Sequence, residues 1–473
     1  MSPGTDRWTL AWRSPAGGWL LIALGAIAAS SAYAGALVLA RIPLVRAVLP
    51  LDRHFSTLLV LHVELAAGVW FLAMSAVLWS LAAPARERRA WGLAPVLAGA
   101  GMLGMAVAPL LGAGRPILSD YLPVLDHPLF LAGGLAFLAG WGGAVLSALS
   151  VPGALHPAVR PALPADVPAE AARALGWAAL VGFAALAALL VGWLRIPTGQ
   201  WREGYRVLVW GPGHLLQTMH MLLALAAWQW LGRLAGRPAP RGAWLRWLPA
   251  LIALPTLVAA ALLPWLQGPA PALAHGAYTG LMVWGGSASL LGLVAAWRRP
   301  WAPTVGAERR AAHGGAALRA VYGAVLDGSL LLYGSGIVLG FLIRENDAMV
   351  PAHYHGAIGG LTLAYMGLAY RLLSALGAAE PPRRVAVWQA RLYGAGLLAM
   401  MAGLVLAGIP RKIAALQAGS AGWSAWAGLG LMGVGGAAAL AGSVAFVCTV
   451  AWTLRRARGR RVPALAAGEG QAL

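Results

Sequence analysis

The chain has 473 residues, of which 60% are hydrophobic and only 11% charged, where an ordinary soluble domain is about 25% charged. Its single cysteine, Cys448, excludes an internal disulfide and any cysteine-held cluster. The formal net charge is +20, and all 35 Lys and Arg fall between the apolar stretches, so the basic excess orients a membrane protein and does not argue for a nucleic-acid partner.

Twelve apolar stretches are long enough to cross a bilayer as helices, at roughly 19–40, 56–82, 91–112, 128–150, 174–194, 207–232, 247–267, 273–297, 320–343, 352–370, 392–409 and 425–453. They predict an all-α membrane protein, a twelve-transmembrane-helix bundle in which residues 1–473 form a single transmembrane domain with lipid around it. No strand pattern stands out, and an open sheet edge does not survive in hydrocarbon. With the N-terminus cytoplasmic, 25 of the 35 Lys and Arg lie on the inner side, which is the positive-inside rule with both termini cytoplasmic. The first stretch belongs to this multi-span pattern and does not read as a cleaved signal peptide. The Pro/Ala-rich segment 151–170 is a loop, too short to be a domain.

Taken in chain order, the second stretch contains His62 and Glu64 in "LHVELAAGVWFLA". The outer loop after the third contains Asp120, Asp126 and His127 in "SDYLPVLDHP". The sixth contains His214, Gln217, Thr218 and His220 in "VWGPGHLLQTMH", and the eighth begins at His275. Asp327 lies within the ninth, followed by Glu345 and Asp347 in "IRENDAMV". The tenth opens with His353 and His355 in "PAHYHGAIGG". Glu64 and Asp327 are the two acids inside stretches, and an intramembrane carboxylate is a functional candidate by default. Glu64 is two residues from His62 and orders that site; Asp327 shows no chain of partners. Trp70, Trp79, Trp210 and Trp284 are placed to pack on a cofactor or to serve as belt and helix-contact residues.

The histidines carry the functional argument. His62, His214, His275, His353 and His355 fall at one depth near the outer surface, on four helices. A buried imidazole needs a partner, and five at one level point to metal or haem ligation. Residues two apart on an α-helix project about 200° apart. His353 and His355 therefore cannot bind one metal from the same helix face but can hold two separate cofactors, one on each side of their helix. Neutral imidazole is a common axial ligand of haem iron. A second histidine such as His62 can give one of those irons a low-spin bis-histidine site, which would leave the other iron open for chemistry.

The arrangement resembles the catalytic subunit of the haem-copper oxidase superfamily, cytochrome c oxidase subunit I and the nitric oxide reductase large subunit included. The resemblance covers essentially the whole chain: "LHVELAAGVWFLA" on the second span, "VWGPGHLLQTMH" on the sixth, "PAHYHGAIGGLTLAYMGLAY" on the tenth and "GIPRK" at 408–412. It implies a low-spin haem on His62 and His355, a high-spin haem on His353, and propionates paired with Arg411 and Lys412. It also implies a second metal, copper or non-haem iron, on His214 and further histidines of the seventh span. That span has no His-His pair, which leaves His275, with Gln217 and Thr218 one turn from His214. The oxygen-reducing members often have a tyrosine where Thr218 stands, and nitric oxide reductases lack it. Proton-transfer candidates are Glu64, Asp327, Glu345, Asp347 and Asp120, the last three on the outer side from which nitric oxide reductases take protons.

The reading implied is a bacterial inner-membrane respiratory subunit that reduces O2 or NO. Because there is no Cys-x-x-Cys-His and no recognisable quinone or copper-pair site, the electron donor is expected to be a cytochrome c or cupredoxin-like partner subunit. A non-catalytic haem subunit for electron transfer or gas sensing, without the second metal, is the other alternative.

Overall fold

The computed structural model describes residues 14–40, 43–49, 51–81, 92–112, 114–119, 122–150, 163–164, 166–197, 199–237, 243–266, 271–297, 315–344, 348–408 and 422–459. Among them, helix dominates, the conformation in which a segment in lipid satisfies its own backbone. Helix α1 (Pro15–Leu39) starts on Ser14, whose Oγ accepts the Gly17 N–H at 3.2 Å, with Pro15 at its first position. That combination caps an otherwise unpaired donor and presets the first helical φ.

After the short α2 (Pro43–Val48), one rod runs from Phe55 to Leu81. It comprises α3 (Phe55–Val63), a π-helical turn (Glu64–Trp70) and α4 (Phe71–Leu81). There follow α5 (Leu93–Val107), α6 (Pro128–Ser150), α7 (Ala169–Arg195), α8 (Trp201–Leu234), α9 (Leu248–Leu266) and α10 (Pro271–Trp297). The last four are α11 (Gly315–Phe341), α12 (Met349–Ala375), α13 (Arg383–Ala407) and α14 (Trp423–Gly459). Each expected apolar stretch is a helix; most begin one to several residues earlier than hydropathy alone marks, whereas α5 and α9 are shorter at both ends.

Ten of these segments are long and apolar enough to cross a membrane; α8 and α12 are the long helices that fall short. The reason is position. The rod (residues 68–81), α8 (221–228) and α12 (359–370) each carry an unbroken buried run. They face other helices, not lipid, so they can hold histidines, glutamine and glycine.

Small residues let the inner helices touch. A Cβ on Gly336 of α11 would strike the backbone of Gly356 and Ala357 of α12, and one on Gly360 would stand 2.8 Å from the Ser329 carbonyl oxygen. Gly396 and Gly403 of α13 meet Gly435 and Gly428 of α14 in the same way. Close backbone approach of this kind is how helices associate where no hydrophobic force separates them from lipid.

One element departs from the expected absence of strands. Arg115–Ile117 (β1) pairs antiparallel with Val124–Asp126 (β2), Arg115 opposite Asp126. Three residues per strand are too few to display an alternating pattern, so the hairpin was invisible to periodicity. It is clamped from α8: Arg202 donates to both Asp126 oxygens at 2.6 and 3.1 Å, and the Tyr205 hydroxyl donates to the Leu122 carbonyl at 2.7 Å. The Arg202 guanidinium holds the Asp126 carboxyl below the usual aspartate range.

Candidate haem and gas site

His62 is the penultimate residue of α3, and the π-helical turn begins two residues later. Such turns are frequent at functional sites. Ser30 of α1 fixes the ring. Its hydroxyl donates to the His62 carbonyl at 2.9 Å, so the same oxygen, 2.9 Å from Nδ1, can only accept there. The Ser30 carbonyl is a second acceptor, 3.2 Å from Nδ1. Both contacts place the proton on Nδ1 and leave the Nε2 lone pair as the coordinating position. Glu64, expected to order this histidine, makes no hydrogen bond to it. Its carboxyl lies back along the π turn, where a Cβ on Gly68 would be 2.7 Å from Oε1, and its Oε2 is buried with no hydrogen-bond partner.

On α12 the two histidines diverge. His353 is buried, and its Nδ1 donates to the Gly336 carbonyl of α11 at 2.8 Å. A Cβ on Gly340 would stand 2.7 Å from that Nδ1, so glycine at 340 makes room for the ring. His355 Nδ1 donates to the Pro351 carbonyl of its own helix at 2.6 Å. His355 is within electrostatic range of His62 across the bundle.

On α8, Pro212 interrupts the hydrogen-bond ladder and frees backbone groups locally. His214 Nδ1 donates to the Trp210 carbonyl at 2.8 Å. Gly211 lets Tyr278 of α10 lie against the α8 backbone, since a Cβ there would be 2.7 Å from the phenol oxygen. The Tyr278 ring is 5.8 Å from that of His214, and its hydroxyl is buried without a partner. Trp210 stacks flat on His275, centroids 4.0 Å apart at 11°. Thr218 donates to the His214 carbonyl at 3.3 Å and meets Thr256 of α9 at 3.5 Å. Gln217 Oε1 is buried and unpartnered.

Four imidazoles thus share one arrangement, Nδ1–H on a backbone carbonyl, which in His62, His353 and His355 turns Nε2 toward coordination. That donor set suits haem iron. The same three segments concentrate polar atoms that are buried without a protein partner, namely Glu64 Oε2, Trp70 Nε1, Gln217 Oε1, His220 Nε2 and Tyr365 Oη, and such atoms in native proteins call for a ligand or water. A second metal fits less well. His214 and His275 lie near each other, but His275 is exposed and stacked. Among the described residues no three of His, Cys, Asp or Glu converge to hold an ion.

Asp327, expected to lack partners, is ion-paired: Arg237, just beyond α8, donates to it at 2.7 Å. It lies nine residues from Gly336 on α11, about 13 Å of helix rise, away from the histidines. The pairing escaped sequence reading because Arg237 sits in a loop 90 residues away. Arg411, Lys412, Glu345, Asp347 and Asp120 lie outside the described residues. Ser30, Gly336 and Gly340 were missed, and nothing in their sequence context marks them. Tyr278 was also missed, although it stands one turn from His275.

No family model matches the sequence. A protein of uncharacterized function from Aquifex aeolicus (strain VF5) is 25% identical over 366 residues, 76% of this chain and 85% of that protein. A haem-copper terminal oxidase dimer solved by cryo-electron microscopy superposes with a TM-score of 0.62 at 16% identity, over 92% of this chain and 84% of its own. The chain has the fold of a haem-copper terminal oxidase. Within that oxidase fold the helices that carry His62, His214, His353 and His355 are also the most enclosed.

Proposed function

We propose that the chain is a membrane respiratory redox subunit, twelve spans with both termini cytoplasmic, that carries two haems and reduces O2 or NO with electrons from an outer-side cytochrome c or cupredoxin-like partner. His62 and His355 are the pair for the low-spin haem and His353 the proximal ligand of the high-spin haem; Arg411 and Lys412 are assigned to propionates. The observation that carries this reading is the shared tethering of Nδ1 to backbone carbonyls on three buried segments. Bound there, haem iron supplies one-electron transfer and binds a diatomic gas. The chain itself fixes the imidazole tautomers, packs the rings of Trp70, Phe71 and Tyr365 together beside them, and offers the Tyr278 hydroxyl and His214 as proton-bearing groups beside the gas site.

The short donor set around His214 favours a second reading, a haem subunit for electron transfer or gas sensing with no second metal. Thr218 in place of a tyrosine leans the catalytic reading toward nitric oxide reduction. The test is a haem, copper and non-haem iron count with optical spectra on protein purified with its natural partners, followed by turnover with O2 and with NO. Two haems with turnover support the proposal. Two haems with neither a further metal nor turnover support the second reading. A colourless, folded protein from cells well supplied with porphyrin overturns both.

A further inference from the structure

Helix α8 ends in a turn that carries a cation back onto α11. Gly236 takes the left-handed conformation, φ +72°. The Gly236 and Arg237 N–H groups return to the carbonyls of Arg233 and Gly232 at 3.0 and 2.8 Å, a helix ending that favours glycine. Arg237 is thereby laid against α11, where its Nη2 donates to Asp327 at 2.7 Å. A guanidinium has five N–H donors, and Arg237 Nη1 is buried with no hydrogen-bond partner among the described residues. A second cation, Arg319 of α11, crosses the same glycine: a Cβ on Gly236 would lie 3.3 Å from its Cδ and 3.6 Å from its Nη1. Gly323 stands about one helical turn from both Arg319 and Asp327, and a Cβ there would meet nothing within 4 Å among the described residues. Side chains on a helix lean toward its N-terminus, so Asp327 leans over this gap toward Arg319. Its side chain is 43% exposed. Further along the same face of α11, Leu331 and Val338 are exposed as well, on a helix long and apolar enough to cross a membrane. The stripe therefore passes from apolar residues suited to acyl chains to a gap flanked by two guanidiniums and a carboxylate.

A half-exposed carboxylate is out of place in a site for a simple anion, and charges on a face turned to lipid are costly unless polar groups reach them. Both signs together suit a zwitterion. We propose that the groove between the ends of α8 and α11 binds the head group of a phospholipid with a primary ammonium, phosphatidylethanolamine. Arg319 and Arg237 hold the phosphate through charge-assisted hydrogen bonds. Asp327 accepts from the ammonium while keeping its bond from Arg237, and an acyl chain runs along Leu331 and Val338. A choline head group has the same phosphate but no N–H for Asp327, and a glycerol head group has no cation. The site lies apart from the histidines and is independent of the haem chemistry proposed above.

The test strips the full chain of lipid in detergent and offers it an equimolar mixture of phosphatidylethanolamine, phosphatidylcholine and phosphatidylglycerol, with native mass spectrometry reading the bound species. Wild type should retain phosphatidylethanolamine in preference to the other two. Asp327→Asn should cut that preference by about tenfold, the worth of one hydrogen bond to a charged group, and still bind phospholipid. Arg319→Gln, which leaves the Arg237–Asp327 pair in place, should weaken binding of all three. Gly323→Leu, which fills the gap without changing charge, should displace the lipid while the unfolding temperature in lipid-free detergent stays at the wild-type value. Wild-type retention of phosphatidylethanolamine in either Arg319→Gln or Gly323→Leu overturns the proposal. So does a wild type without preference, or one that prefers phosphatidylglycerol, which would make the groove a plain anion site. Stabilisation by soluble phosphoethanolamine equal to that by the lipid would assign the groove to a soluble ligand and overturns it too.

Discussion

Ser30 of α1 and His62 of the next long helix hold each other reciprocally: the serine hydroxyl donates to the histidine's carbonyl at 2.9 Å, and the imidazole Nδ1 lies 2.9 Å from that same hydroxyl oxygen. Outer-shell partners of a ligating histidine typically contribute 10–100-fold in affinity. Because the Ser30 carbonyl remains as a second acceptor at 3.2 Å, Ser30→Ala should lie at the low end. The expected outcome is a fall of about 10-fold in low-spin haem retention, read as the haem-to-protein ratio after dilution and gel filtration, with the high-spin signal unchanged. Full retention would show that Ser30 does not orient the ligand.

The divergence of His353 and His355 on α12 predicts a separable pair of phenotypes. His62→Ala and His355→Ala should each abolish the bis-histidine low-spin spectrum. His353→Ala should remove the high-spin component, including its carbon monoxide difference spectrum, and spare the low-spin one. A normal bis-histidine spectrum in either of the first two variants would refute the ligand assignment.

Gly340 gives the His353 ring its space, with a Cβ there 2.7 Å from Nδ1. Nδ1 is fixed to the Gly336 carbonyl, so the ring cannot simply swing aside. Overpacking in a close-fitting interior costs about 1–3 kcal/mol. Gly340→Ala should therefore shift the high-spin haem's iron–histidine vibration and lower carbon monoxide affinity, while Gly334→Ala, which meets only the flexible Leu293 side chain, serves as a milder control on the same helix.

Much of this architecture is written in local chemistry. The long apolar runs declare helices, and two histidines one residue apart declare two directions. Where legibility failed, the determinant was a contact between distant segments. Ser30 is one serine among many on an apolar helix, and only the fold brings it to His62, 32 residues on. Asp327 read as an isolated intramembrane acid because its partner Arg237 arrives from another helix end. Hydropathy marks α8 and α12 as helices over 207–232 and 352–370, yet they are the long helices that fall short as spans, because helices shielded from lipid need not be apolar, and those are the helices that carry His214, His353 and His355.

The Asp126–Arg202 clamp gives a pH-dependent prediction. Arg202 lowers the Asp126 pKa in the folded state, so the clamp's contribution is fully present above the ordinary aspartate value of about 3.9 and is lost as pH falls through the lower folded value. Both side chains retain solvent contact, Arg202 half-exposed, so the effect should be local and screened by salt. Amide exchange of residues 115–117 and 124–126, corrected for intrinsic rates, should accelerate in acid at low ionic strength and less so in high salt. Arg202→Gln should start from the faster exchange at neutral pH and show no acid step, while the helices stay protected in both. An acid step that persists in Arg202→Gln would mean that another carboxylate, not Asp126 through its guanidinium partner, controls the hairpin.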